Sequence, residues 1–118
     1  MAWSFENGRP IYTQLLEQIE QRIISGEYSA GEKLPSVREL AAEAAVNPNT
    51  MQRAMAELEQ RGLVVTNRTA GRTVTEDEKI LKTIKEKKAQ ESTCIYITQM
   101  KEMGFTKEEM MELIKEGE

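Results

Sequence analysis

Ser36-Val37-Arg38-Glu39-Leu40-Ala41, followed closely by Asn47-Pro48-Asn49-Thr50-Met51-Gln52-Arg53-Ala54, holds two helix starts with room for only a short turn between the helices. Ser36 and Glu39 have the Ser-x-x-Glu spacing of a capping box, in which the serine oxygen accepts a free amide and the glutamate reaches back. Val37, Leu40, Ala41 and Ala44 then recur at helical spacing, and the alanines let another helix come close. Asn47 is a good N-cap and Pro48 a good first helical residue, so the next helix opens after a turn of about two or three residues. A turn that short makes the two helices cross steeply. Met51, Ala54, Met55 and Leu58 are the buried stripe of this later helix, which leaves Asn49, Gln52, Arg53 and Ala56 facing outward. Gly62 closes it, with Leu63 as the apolar partner of a glycine-terminated end.

Working outward, Ile11, Leu15, Ile19 and Ile23 form one stripe of an earlier amphipathic helix, with Leu16 beside it. Pro10 suits its first position and Gly26 its stop. Residues 29 to 35 read as a loop. After the helices, Val64-Val65-Thr66 and Thr73-Val74-Thr75 flank Asn67 to Arg72 as a β-hairpin with a longer loop. Three helices followed by a hairpin predict a winged helix-turn-helix over residues 1–75. Thr75-Glu76-Asp77-Glu78 is a second capping-box pattern and opens a long helix to about Met103, in which Thr93 to Thr98 is β-rich by propensity alone. Gly104 ends it. Thr106 and Glu109, with Phe105 and Met110 as a hydrophobic staple, open a short last helix. The fold class is thus mainly α with a small β-hairpin, and residues 76–118 form a C-terminal two-helix hairpin.

The 118 residues fit one compact domain with a short appendage, too few for a second ligand-binding domain of ordinary size. With 39% apolar residues the core is small, and self-association would help such a chain. No run approaches the roughly 18 apolar residues of a membrane span, nor does the N-terminus resemble a signal peptide, so a cytoplasmic protein without a membrane role is expected. One cysteine and no histidine remove hydrolytic triads, imidazole bases and zinc sites, so neither an enzyme nor a metal or other cofactor is expected. A net charge of −4 argues at first against nucleic acid, but the charge is unevenly placed. Residues 1 to 75 carry all seven arginines, whereas residues 76 to 118 carry eight lysines and no arginine. Arginine offers a planar fork of donors suited to phosphate and guanine. Residues 33 to 72 hold six Lys and Arg against four Asp and Glu, so the overall acidity does not exclude DNA binding, which would be modest and salt-sensitive.

Leu34-Pro35-Ser36-Val37-Arg38-Glu39-Leu40-Ala41, Val46 to Ala54, and Leu58-Glu59-Gln60-Arg61-Gly62-Leu63-Val64 together resemble the N-terminal domain of GntR-family bacterial transcriptional regulators. Pro10-Ile11-Tyr12-Thr13-Gln14-Leu15 and the short helical tail are similar to the YtrA subfamily in particular. That resemblance implies a dimeric repressor, often of transporter operons. On the helix opening at Pro48, Asn49, Thr50, Gln52 and Arg53 would enter the major groove, where Asn and Gln can bond adenine bidentately and Arg can bond guanine or phosphate. The alternative is a plain solvated helix face. The resemblance also implies that Arg38 contacts DNA; otherwise it would pair with Glu39 or Glu43. Arg68, Gly71 and Arg72 would form the wing near the minor groove. Here the chain departs from the family pattern of a glycine, a basic residue, a second glycine and a later aromatic, having Thr69, Ala70, Gly71 and Thr73 instead. A weaker or differently aimed wing, or a merely structural one, follows.

Ile80, Leu81, Ile84, Ile95, Met100, Met103, Phe105, Met110, Met111 and Ile114 exceed what two helices bury on themselves, and are expected to form a homodimer interface, with packing onto the first helix as the alternative. A small-molecule effector, if the chain responds to one, would have to bind at that interface. Cys94 reads as a buried small hydrophobe rather than a redox or metal sensor. The rival to a DNA-binding regulator is a winged-helix protein-interaction module without DNA binding.

Overall fold

The computed structural model describes residues 3–117, and these fall into two compact units whose boundary lies after Lys82. The first contains α1 (Ile11–Ile24), α2 (Val37–Ala44), α3 (Pro48–Gln60), β1 (Val64–Asn67), β2 (Gly71–Val74) and the first turn of α4 (Glu78–Glu102); the second contains the rest of α4 and α5 (Lys107–Glu116).

In the first unit α3 packs on both α1 and α2. Leu15, Ile19, Leu40, Met51, Ala54 and Leu58 have no or almost no exposed surface, and Leu63, Val64 and Val74 continue this core into the hairpin. The apolar stripe of α1 begins later than its periodicity predicts. Ile11 remains 39% exposed, because Pro10 is the N-cap rather than the first helical residue and the opening turn lies beyond the core. An N-terminal arm, unforeseen from sequence, is tied along α1 by two glutamines. Gln18 accepts from the Ser4 N–H and donates to its carbonyl, and Gln14 does the same with Glu6. Trp3 then lies over the buried Arg22 guanidinium, 3.8 Å from ring centroid to Cζ.

Both halves of the Ser36/Glu39 capping box are present, and Asn47 Oδ1 accepts from the Asn49 N–H at 2.7 Å. Ala45, which ends α2, takes a left-handed conformation at φ 56 and ψ 47; this reverses the chain within three residues, so that α3 starts at Pro48. At the far end of α3 the Leu63 and Gly62 amides donate back to the carbonyls of Leu58 and Glu59, the double closure of a glycine-terminated helix.

The wing differs from its sequence expectation in two respects. Val64–Asn67 and Gly71–Val74 pair antiparallel with Asn67 opposite Gly71, so the loop shrinks to Arg68, Thr69 and Ala70, and Arg72 lies inside a strand rather than at the tip. Gly71 at φ +77 makes that tight return possible. The loop before α2 also bonds to β2, because Gly31 N–H donates to the Val74 carbonyl, Val74 N–H to Glu32, and Leu34 N–H to Arg72. β2 is thereby held on both sides.

In α4 the cap is not Thr75. Asp77 Oδ1 accepts from the Lys79 and Ile80 amides, while Thr75 is spent on the Asp77 amide, because its hydroxyl lies two residues too early. The β-rich stretch Thr93 to Thr98 is helical within α4, and the Thr106/Glu109 capping box is complete. Met100 and Met110 are buried on either side of the turn that Phe105 closes by donating to the Met100 carbonyl. Cys94 is exposed, against expectation, since its helical neighbours Gln90, Glu91 and Thr98 make that face of α4 polar.

Candidate nucleic-acid interface

Asn49, Gln52, Arg53 and Ala56 are all exposed on the side of α3 opposite its buried stripe, and Thr50 is half-buried at the edge. No acidic residue stands in the first turn of α3, and Pro48 occupies the position where an amide would be orphaned anyway. The positive end of the helix dipole is therefore free to face an anion. Arg38 is exposed in the first turn of α2, and among the described residues no ion pair joins it to Glu39 or Glu43. Glu39 is engaged locally. It accepts the Ser36 amide, and this bond, with the Ser36 hydroxyl and nearby Lys33, holds its carboxyl below the usual carboxylate range.

Arg53 does not wave freely in solvent. Its Cζ lies 4.0 Å from the centroid of the Tyr12 ring, so the first turn of α1 supports the guanidinium from beneath. Tyr12 is a functional candidate that sequence reasoning passed over. The available signal was an aromatic residue one position off the apolar stripe of α1, where burial alone gives it no purpose.

Arg68 is exposed at the wing tip and Gly71 is exposed beside it, but Arg72 is half-buried and turned back toward α3, its Nη1 donating to Gln52 Oε1 at 3.4 Å. A cleft of about 480 Å³ opens between the wing and the start of α2, lined among others by Lys33, Ser36, Thr69, Gly71 and Arg72. Lys33 is the second residue that the motif reading missed. Its sequence neighbours place it in a loop, and only its bridge to Thr73 carries it to the base of the wing. Lys33 and Arg72 thus both line one opening.

Residues 11–74 match the family model described as bacterial regulatory proteins, gntR family. The chain belongs to the GntR family. Among similar proteins, the HTH-type transcriptional regulator YhcF of Bacillus subtilis is 45% identical over 111 residues, covering 94% of this chain and 92% of that one. The HTH-type transcriptional repressor YtrA of the same organism is 43% identical over 70 residues, 59% of this chain and 54% of that protein. A GntR family transcriptional regulator from Listeria monocytogenes has a solved structure that superposes with a TM-score of 0.88 at 39% identity, covering 95% of this chain and 98% of that chain. This GntR regulator is accordingly a DNA-binding transcriptional regulator, with a winged helix-turn-helix followed by C-terminal helices. Among its described residues no helix is long and apolar enough to cross a membrane, and no cluster of metal-ligating side chains occurs.

The residues expected at the dimer interface divide by burial. Ile80, Leu81, Ile84 and Phe105 are half-buried, and Met100 and Met110 are already enclosed within one chain. Ile95, Met103, Met111 and Ile114 are each more than half exposed, and Leu113 joins them at 42%.

Proposed function

We propose that the chain acts as a homodimeric repressor that reads a pseudo-palindromic operator. Residues 1–75 bind DNA and residues 76–118 dimerise. α3 enters the major groove with Asn49, Thr50, Gln52 and Arg53 toward base edges, and Arg38 meets the adjacent backbone. Arg68 reaches along the flanking groove, while Lys33 takes a phosphate at the cleft beside Gly71 and Arg72 stays turned toward Gln52. The observation that carries this reading is the α3 face itself: small or polar, free of acidic side chains in its first turn, and carrying an arginine held in place by Tyr12.

Dimerisation is supported by the exposed Ile95, Met103, Met111, Leu113 and Ile114, a group of apolar side chains too large to leave in water on a short helical tail. Two identical recognition helices related by a two-fold axis read inverted half-sites about one helical turn apart. Repression fits the role of YtrA of Bacillus subtilis, a transcriptional repressor, and a transporter-type operon is the target that the YtrA resemblance implies. Such a protein works in the cytoplasm, without catalysis, and a small effector would act at the dimer interface.

A mobility shift on duplexes selected from random DNA tests the reading. Retardation that weakens steeply as salt rises is the expected result, since each phosphate contact releases a counterion. A chain that retards no duplex at low salt would return the fold to protein interaction.

A further inference from the structure

We infer that Arg72 determines which base Gln52 reads, making Gln52 a hydrogen-bond donor that prefers guanine over adenine. The inference rests on α3 being the DNA-reading helix and goes beyond it, to the specificity of one position.

Arg72 is set by its backbone. In β2 it stands opposite Thr66 of β1, and its carbonyl accepts from Leu34 on the other side, so the strand is bonded along both edges. The half-buried side chain is turned toward α3, where Nη1 reaches Gln52 Oε1 at 3.4 Å, and among the described residues its buried Nε has no hydrogen-bond partner. A guanidinium has five donors and no acceptor. A glutamine amide beside it must therefore present its oxygen to the arginine and its nitrogen away from it. The orientation of the Gln52 amide follows from the chemistry of its neighbour.

A glutamine reads adenine by accepting from N6 with its oxygen while donating to N7 with its nitrogen. In this protein the oxygen is engaged. Its second lone pair lies next to a positive charge, which repels the hydrogens of an adenine amino group. The Nε2 donors remain free, and guanine alone among the purines presents two acceptors, O6 and N7, to the major groove. The adjacent guanidinium favours the same edge electrostatically. Arg72 is thus a positioning residue that acts through Gln52, and the wing contributes to base choice from a strand that need not enter either groove.

Site selection from random duplex DNA, run on the full chain and on the Gln52→Ala, Arg72→Met and Arg72→Lys variants, tests this. Gln52→Ala locates the position, because preference flattens only where Gln52 reads. At that position the parent is expected to favour guanine several-fold over adenine. Arg72→Met, which keeps the unbranched stem but removes the donors, is expected to move the preference to adenine, and Arg72→Lys, which can still donate to Oε1, to keep guanine. Melting curves confirm that the variants are folded, and if Arg72→Met does not fold, Arg72→Leu, which also lacks donors, takes its place with the same expectation. Adenine selected by the parent, or an unchanged guanine preference in Arg72→Met, would overturn the inference while leaving DNA binding intact. No duplex selected by the parent would overturn the DNA reading as well.

Discussion

Replacing Tyr12 with Leu keeps an apolar side chain on the first turn of α1 but removes the ring beneath Arg53. The Cζ to centroid distance of 4.0 Å is well inside the roughly 6 Å reach of a cation–π contact, and Arg53 is exposed, so the stack contributes about 0.5–1 kcal/mol to folding. The larger effect belongs to DNA binding. A free arginine loses up to about 2 kcal/mol of rotamer entropy when it is fixed against a base or phosphate, and stacking on Tyr12 removes part of that cost beforehand. Tyr12→Leu should therefore weaken binding to a selected duplex by about 0.5–1 kcal/mol, roughly two- to fivefold, with Arg53 still present. Arg53→Ala should lose about 1–3 kcal/mol. Tyr12→Phe retains the ring and should match the parent in both respects. Denaturant unfolding and fluorescence anisotropy on the single and double variants close the cycle, with an expected coupling near 0.5–1 kcal/mol in stability. A coupling indistinguishable from zero, or a Tyr12→Phe variant as weak as Tyr12→Leu, would refute the stacking argument.

Ala45 holds a left-handed conformation that costs an L-residue about 1–2 kcal/mol and glycine almost nothing, while glycine has about 0.5–1 kcal/mol more chain entropy to lose. Ala45→Gly should consequently stabilise the chain by about 0.5–1 kcal/mol, and a lowered melting temperature would show that the turn is set by something other than that dihedral strain. The carboxyl of Glu39 is held below its usual range, chiefly by the Ser36 amide, so its contribution is present above the unfolded carboxylate pKa near 4.3 and lost as the pH falls through the lower folded value. The stability difference between the parent and Glu39→Gln should thus be full at pH 7 and shrink on acidification, and a difference that grew toward acid would reverse the sign of the argument. Cutting the chain after Lys82, where the first compact unit ends, should leave a folded monomer that binds single half-sites weakly and has lost most affinity for a palindrome. A truncated chain that still sediments as a dimer would move the interface into the first unit.

The three helices and the hairpin were legible because each depends on local spacing: apolar residues at helical period, a Ser or Asn before α2 and α3, a glycine after α1 and α3. The outward face of α3 followed from the same spacing, since residues left over from its buried stripe must face outward. Relations across elements were not legible. Nothing local indicates that Gly31, Glu32 and Leu34 pair with β2, that Tyr12 meets Arg53, or that Gln14 and Gln18 hold the N-terminal arm. Sequence alone places Arg72 near the tip, because strand propensity understates a hairpin whose last loop residue is followed by glycine at positive φ. Thr75 and Asp77 both offer an oxygen to the start of α4, and the choice between them depends on where the preceding strand releases the chain.

The proposed regulator joins two copies of this chain through their helical tails and places two α3 helices on one symmetric site. Sedimentation equilibrium of the full chain with a selected duplex measures it directly. Two chains per pseudo-palindromic duplex at saturation, with half-site affinity far below that for the intact site, is the predicted result. One chain saturating the duplex would contradict it.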